Sequence, residues 1–186
     1  FLQLSTVEYP AIGNTSHSED LQSIIYVPDP KYFQYLAVGE TSVITIAYIA
    51  FDNKGKSSNT AGLLLSILGV NDAPFAIDDV HTIDENDVSI QNIPALLNDY
   101  DIDNSDSLHL VSVKTAGPGS VDIAAESTFV KYIPEDSAFK YLALGESATV
   151  VLNYTISDNN GVEDSAEIVV IVNGVNNVPV AYHETW

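Results

Sequence analysis

The sequence has no cysteine, no methionine and no arginine among its 186 residues. Without cysteine there are no disulfides, and thiolate zinc or iron–sulfur sites are excluded. Basic residues are scarce too, because six lysines face 26 aspartates and glutamates, leaving a formal charge of −20. Such a field repels nucleic acid and anionic lipid and attracts divalent cations. We therefore expect no nucleic-acid partner and no direct membrane insertion.

The chain also lacks a signal peptide and any apolar run long enough to span a bilayer. With the absence of methionine, this leads us to expect an internal piece of a longer chain. Disorder is a common reason for high acidity, but 46% of the residues are hydrophobic and many alternate in strand-like stretches. A folded chain of this charge requires neutralising partners, and bound metal ions would supply them.

A long internal repeat organises the sequence. Residues 26–40 match residues 132–146 at an offset of 106, and residues 69–74 match residues 174–179 at an offset of 105. A repeat of this length is a whole domain. The register predicts a truncated first repeat at 1–71, a complete second repeat at 72–176, and the start of a third repeat or a linker at 177–186. Because the first copy lacks the counterpart of residues 73–106, we expect it to be an incomplete sandwich.

Each copy reads as a series of short strands. Residues 147–157 alternate apolar and polar side chains, and the following Asp158-Asn159-Asn160-Gly161 is a turn sequence. Further strands are predicted at 80–83, 88–90, 107–113, 119–124, 128–133 and 167–173, with one helical turn at 93–97. About seven short strands in ~100 residues indicate an all-β fold of tandem immunoglobulin-like sandwiches.

Several motifs follow one another in a specific order. A Leu-Ala-x-Gly-Glu segment ends at Glu40 and again at Glu146, Asp-x-x-Gly turns begin at Asp52 and Asp158, and residues 69–74 read Gly-Val-Asn-Asp-Ala-Pro. Together they resemble the VCBS and bacterial cadherin-like repeats of large RTX-type surface adhesins. The resemblance implies a seven-stranded cadherin-like sandwich, extracellular display on a bacterial cell surface, and a part in cell adhesion and biofilm formation.

The resemblance also implies calcium (Ca2+) where consecutive domains meet. Calcium takes six to eight oxygen ligands, mostly from carboxylates and carbonyls. The ligands predicted for this ion are Glu40 of the first copy, Asn71, Asp72, Asp78 and Asp79 of the linker, and Asp101, Asp103 and Asp158 of the second copy. Glu85 is predicted to serve the next junction with Glu146. Asp52 and Asp106 are weaker candidates. At that next junction Asn177 stands where Asp72 stands, so one charge is missing and we expect lower affinity.

Catalytic patterns are absent from the sequence, which has no His-Glu-x-x-His and no Gly-x-Ser-x-Gly. We therefore predict that the chain is not an enzyme. The leading hypothesis is a calcium-binding, rigid spacer of an extracellular adhesin, whose partners are neighbouring repeats of the same chain. Two alternatives stay open. One is a carbohydrate-binding accessory module of a secreted polysaccharide-degrading enzyme, which would bind surface polysaccharide. The other is homophilic adhesion to another copy of the chain.

Overall fold

The computed structural model describes residues 2–8, 10, 12–125, 128–179, 181 and 183. In these residues the strands are β1 (Leu2–Val7), β2 (Asn14–His17), β3 (Ile24–Val27), β4 (Thr41–Asp52), β5 (Ala61–Leu68), β6 (Asp79–Asp84), β7 (Gln91–Ile93), β8 (His109–Thr115), β9 (Ser120–Ile123), β10 (Val130–Ile133), β11 (Ser147–Ser157) and β12 (Glu163–Asn173). Short 3₁₀ turns cover Pro30–Tyr32 and Ala95–Leu97. Among the described residues, no helix has the length and apolarity needed to cross a bilayer.

The chain divides into two compact units. Unit 1 comprises Phe1–Asp72 with Ile102–Ser105, and unit 2 comprises Ala73–Asp101 with Asp106–Trp186. The repeat boundaries drawn from the sequence stay a prediction. In the segment expected to begin a third repeat, residues 180, 182 and 184–186 lie outside the described part of the chain.

Unit 2 is a sandwich of two sheets. One sheet has the strand order β6-β12-β11-β8, and the other has the order β7-β10-β9. The β6–β12 pair is parallel, and the other pairs in both sheets are antiparallel. The inward side chains of β10, β11 and β12 form a sealed core of buried aliphatic and tyrosine residues. The predicted all-β sandwich is confirmed.

One predicted strand of unit 2 is misplaced. The sequence favours a strand at 88–90, but β7 begins only at Gln91. Asp87 is the reason, because its carboxylate accepts hydrogen bonds from the backbone N–H and the hydroxyl of Ser89. Aspartate side chains that bond two residues ahead stabilise a turn in place of a strand.

Unit 1 repeats only part of this plan. Its sheets have the orders β1-β4-β5 and β2-β3. In the repeat register these five strands correspond to β8 through β12, and the described residues of unit 1 contain no counterpart of β6 or β7. Small details recur as well: the Tyr26 hydroxyl donates to the carbonyl of Ile12 at 3.1 Å, and the Tyr132 hydroxyl donates to that of Pro118 at 2.8 Å.

The Leu-Ala-x-Gly-Glu motif forms the same turn in both units. In unit 1 the Glu40 carboxylate accepts the N–H of Ala37, and the Glu40 carbonyl accepts the N–H of Gly69. A Cβ atom on Gly69 would lie 2.3 Å from the carbonyl oxygens of Leu36 and Ala37, so this close backbone approach requires glycine. Unit 2 repeats the arrangement with Glu146 and Gly174. The motif recurs because it closes this turn.

Candidate metal centre

Asp158 forms the hairpin turn between β11 and β12 of unit 2. Its Oδ1 accepts the backbone N–H groups of Asn160 and Val162, both at 2.8 Å. Asp52 forms the same turn in unit 1, where its Oδ1 accepts the N–H groups of Lys54 and Lys56. The backbone donors of Lys56 and Lys54 hold the pKa of Asp52 below its usual range. An aspartate at this place is therefore first a turn former.

In unit 2 the turn has acidic neighbours. Asp101, Asp106 and Asp158 each offer a carboxylate oxygen, and these three oxygens lie within 4.8 Å of one another. Asp158 is only 1% exposed, while the other two are half-buried. We call these residues the carboxylate triad. Among the described residues, no comparable group of three carboxylates lies at the Asp52 turn.

Neutral side chains of the same turn hold Asp106. The Asn160 amide donates to its Oδ2 at 3.1 Å, and the Asn159 amide lies 3.5 Å from its Oδ1. The Ser107 hydroxyl in turn donates to Asn159 Oδ1 at 2.8 Å. These contacts orient Asp106 towards the turn. From the sequence, Asp106 is a weaker candidate ligand than Asp101 and Asp158, because it belongs to no recognised motif.

The triad residue Asp101 follows an aromatic bridge. The backbones of Phe75 and Tyr100 exchange two hydrogen bonds, and their rings stack with centroids 5.0 Å apart at an interplanar angle of 15°. This bridge fixes the chain immediately before Asp101. Sequence reasoning missed it, because a single bridging pair 25 residues apart leaves no periodic pattern.

The triad fits a calcium ion by its chemistry. All three donors are carboxylate oxygens, which hard cations such as Ca²⁺ prefer, and calcium tolerates irregular geometry. Three carboxylates this close repel one another when all are ionised. A divalent cation bound there would relieve that repulsion, and water or carbonyl oxygens would have to supply its remaining ligands.

Four of the predicted ligands lie in unit 1. Asp103 is buried, and its Oδ2 accepts the backbone N–H of Asp72 at 2.9 Å. The Asn71 amide donates to the Asp72 carbonyl at 2.6 Å. Glu40 occupies the turn described above. The carboxylates of Glu40 and Asp103 thus each accept a backbone N–H of their own unit, and Asp72 takes part through its backbone N–H and carbonyl. The role of these residues as metal ligands stays a prediction.

Asp78 and Asp79 lie in unit 2 but do not belong to the triad. Asp78 Oδ1 accepts the N–H of Glu167, which ties β6 to β12. Asp79 stands beside Asp99, and burial together with the charges of Asp99 and Asp78 raises the pKa of Asp79 to about 6. The Tyr154 hydroxyl lies 3.0 Å from Asp99 Oδ1, and burial raises the pKa of both groups. Asp78, Asp79 and Asp99 thus form a second acidic group, which lies at the β6 edge of the sandwich.

Glu85, the remaining predicted ligand, lies directly after β6 in unit 2 and is 3% exposed. Its Oε1 accepts the N–H of Val175 at 3.1 Å and the side-chain amide of Asn177 at 2.9 Å. Its Oε2 is buried without a hydrogen-bond partner among the described residues. Glu146, its expected companion, caps the turn before β11 by accepting the N–H of Ala143.

Solved structures share this fold. The EC1-2 fragment of human mucin-like protocadherin matches with a TM-score of 0.53 and 14% identity, over 94% of this chain and 83% of that one. The EC22-24 fragment of mouse cadherin-23 matches with a TM-score of 0.50 and 16% identity, over 94% of this chain and 52% of that one. At such identities the likeness shows the fold alone, which is a cadherin-like β-sandwich.

The family assignment comes from the sequence of unit 2. The profile of the bacterial cadherin-like domain matches residues 71–174, more than half of the chain. The chain belongs to the bacterial cadherin-like domain family. Cadherin-like domains are extracellular modules of the adhesion type and are typically non-catalytic. No curated protein sequence matches the chain significantly.

Proposed function

We propose that the chain is a calcium-binding, non-catalytic spacer module of a large extracellular bacterial adhesin of the VCBS and RTX type. The observation that carries this proposal is the carboxylate triad of Asp101, Asp106 and Asp158, whose oxygens converge at one turn of unit 2, with Asp158 buried. The other predicted ligands add oxygen donors elsewhere in both units. Calcium binding is general among cadherin-like domains, which supports calcium as the ion.

The charge of the whole chain supports the same ion. A folded protein with a formal charge of −20 is destabilised by self-repulsion, and bound divalent cations reduce that repulsion. Magnesium demands a stricter octahedral geometry and gives up its water reluctantly, so a site of irregular carboxylates favours calcium.

Calcium titration into EDTA-treated protein tests the proposal. A ligand that binds only the folded state stabilises it by about 2.7 kcal/mol at a free concentration of one hundred times Kd. We therefore expect calcium to raise the melting temperature of unit 2, and magnesium at the same concentration to raise it less. Isothermal titration calorimetry of the same samples gives the affinity.

The repeat offers a matched pair of variants. Asp158→Asn removes one triad carboxylate, and Asp52→Asn makes the same change in the equivalent turn of unit 1. We expect Asp158→Asn to weaken calcium binding at least tenfold, since affinity follows the number of charged ligands. Asp52→Asn should leave the triad's affinity unchanged. Unaltered melting in calcium, or equal losses in the two variants, would reject the triad as the site.

A spacer module contacts either neighbouring repeats of its own chain or other copies of that chain. We propose neighbouring repeats of the same parent chain, because the sequence repeat is long and each copy carries acidic residues at matching positions. Analytical ultracentrifugation with and without calcium checks this choice. A monomer in both conditions supports it, whereas calcium-dependent self-association favours adhesion between copies.

A further inference from the structure

Glu85 presents an unusual balance of contacts in unit 2. The residue is almost completely buried, and its backbone N–H donates to the Asn173 carbonyl at 2.8 Å. One carboxylate oxygen, Oε1, accepts two hydrogen bonds, whereas Oε2 accepts none within the described part of the chain. A buried carboxylate needs donors or a cation, since leaving it unsatisfied is costly. The two donors on Oε1 therefore matter for the metal-free fold.

Asn177 supplies one of these donors through its side chain. Its Nδ2 donates to Glu85 Oε1 at 2.9 Å, while its Oδ1 accepts the side-chain N–H of Asn86 at 2.8 Å. The two bonds use both ends of the amide. They tie the segment that follows β12 to the residues that follow β6, beside the bond from the Val175 N–H.

An aspartate at position 177 would repel Glu85 where the asparagine donates a hydrogen bond to it. A carboxylate only accepts hydrogen bonds, whereas an amide also donates them. In the sequence repeat Asn177 matches Asp72, so the other copy carries the acidic residue at this place. Aspartate at 177 would set two carboxylates against each other, and like charges at this distance repel unless a cation lies between them.

We propose that Asn177 is an amide latch: it holds the segment after β12 against Glu85 without any metal, and it lowers the affinity of this part of unit 2 for divalent cations. The latch uses Glu85 Oε1, an oxygen that a cation would otherwise coordinate. The metal-free half of the proposal stands on the hydrogen bonds alone. The affinity half rests on the proposed calcium function.

Asn177→Asp in the full chain tests the latch. The matched control is Asn176→Asp, which adds the same charge one residue earlier. The Asn176 side chain is exposed like that of Asn177, but it makes no hydrogen bond within the described part of the chain. In EDTA we expect Asn177→Asp to lower the melting temperature of unit 2 by about 5 °C, since one lost hydrogen bond plus repulsion corresponds to a shift of that size. Asn176→Asp should shift it much less.

Amide exchange gives a second, local readout. The Val175 N–H donates to Glu85 Oε1, so opening of the latch exposes it. In EDTA its exchange should be at least tenfold faster in Asn177→Asp than in Asn176→Asp, because the segment opens locally more often. With saturating calcium, Asn177→Asp should recover its melting temperature and bind calcium at Glu85 on the order of tenfold more tightly than the parent chain.

The possible results separate the two halves of the proposal. Equal melting and equal Val175 exchange for the two variants in EDTA would overturn the latch. If Asn177→Asp melts at a lower temperature than Asn176→Asp in EDTA and calcium does not restore its melting temperature, the proposed effect of Asn177 on cation affinity is overturned. If calcium also fails to stabilise the parent chain, the calcium function itself fails, while the metal-free latch is supported.

Discussion

The two units can be compared strand by strand, because unit 2 contains β6 and β7 whereas the described residues of unit 1 contain no counterpart of these two strands. In unit 2 the inward residues of β12, Ile168, Val170 and Val172, are fully buried. Their counterparts on β5 are Leu63, Leu65 and Ile67, and none of them is buried; Leu63 is 41% exposed. Strands β6 and β7 make the difference, because Ile83 and Ile93 complete the core of unit 2. Apolar alternation thus determines which face of a strand points inward, whereas the burial of that face depends on the strands packed against it.

The hairpin turns repeat this lesson for chemistry. Asp52 and Asp158 make equivalent hydrogen bonds to backbone N–H groups, so both residues stabilise their turns. Within the described part of the chain, Asp158 belongs to a group of three converging carboxylates and Asp52 does not, because Asp101 and Asp106 lie beside the Asp158 turn. The candidate metal centre is therefore an addition to a turn that also forms without it.

The largest contrast is expected from truncating the matched core residues. Ile168→Ala should lower the unfolding free energy of unit 2 by about 3 kcal/mol, through lost burial and a cavity. Leu63→Ala should lower that of unit 1 by about 1 kcal/mol or less, because much of its side chain already contacts water. Hydrogen exchange of the β12 and β5 amides measures each unit separately.

The same exchange experiment tests the contrast in the parent chain. We expect the β5 amides to exchange faster than the β12 amides, since an open core gives less protection against local unfolding. Equal protection of the two strands, or equal losses from the two truncations, would show that unit 1 has a core as complete as that of unit 2.

A smaller effect is expected from Asp79 as the pH changes. Its pKa is raised to about 6, so the folded state disfavours the ionised carboxylate. The stability linked to this group is fully present below pH 4 and is lost as the pH rises through 6. In EDTA, Asp79→Asn should therefore stabilise unit 2 by roughly 1 kcal/mol at pH 7, after allowing for solvent screening, and by little at pH 4.

Asp87 offers a control of opposite sign in the same unit. Hydrogen bonds from Ser89 lower the pKa of Asp87, so its contribution is present near neutral pH and is lost as the pH falls through the lowered pKa. Asp87→Asn should destabilise unit 2 at pH 7. Urea unfolding at the two pH values measures both variants, and a gain from Asp79→Asn that persists unchanged at pH 4 would rule out the titration.

Much of the fold was predictable because strand alternation and turn residues are local signals. The predicted strand 147–157 coincides with β11, and the sandwich follows from the number of such strands. Local signals failed at 88–90, because the Asp87 carboxylate accepts the backbone N–H of Ser89 and stabilises a turn there in place of a strand. They also gave no hint of the parallel pairing of β6 with β12, which joins residues almost ninety positions apart.

The candidate site was less predictable than the fold. Motifs pointed to Asp101 and Asp158, but convergence of side chains depends on tertiary contacts such as the Phe75–Tyr100 bridge. Other tertiary contacts, from the side-chain amides of Asn159 and Asn160, orient Asp106 towards the triad. Asp79 instead lies among Asp78 and Asp99, outside the triad. Acidic residues close in sequence are therefore not necessarily ligands of one ion.

Calcium binding by the carboxylate triad is tested most directly by a crystal structure of the chain grown with calcium, with anomalous diffraction measured from the same crystals. We expect an anomalous peak coordinated by oxygens of Asp101, Asp106 and Asp158, and no such peak at the Asp52 turn. An ordered triad without anomalous density, in crystals containing saturating calcium, would contradict this expectation.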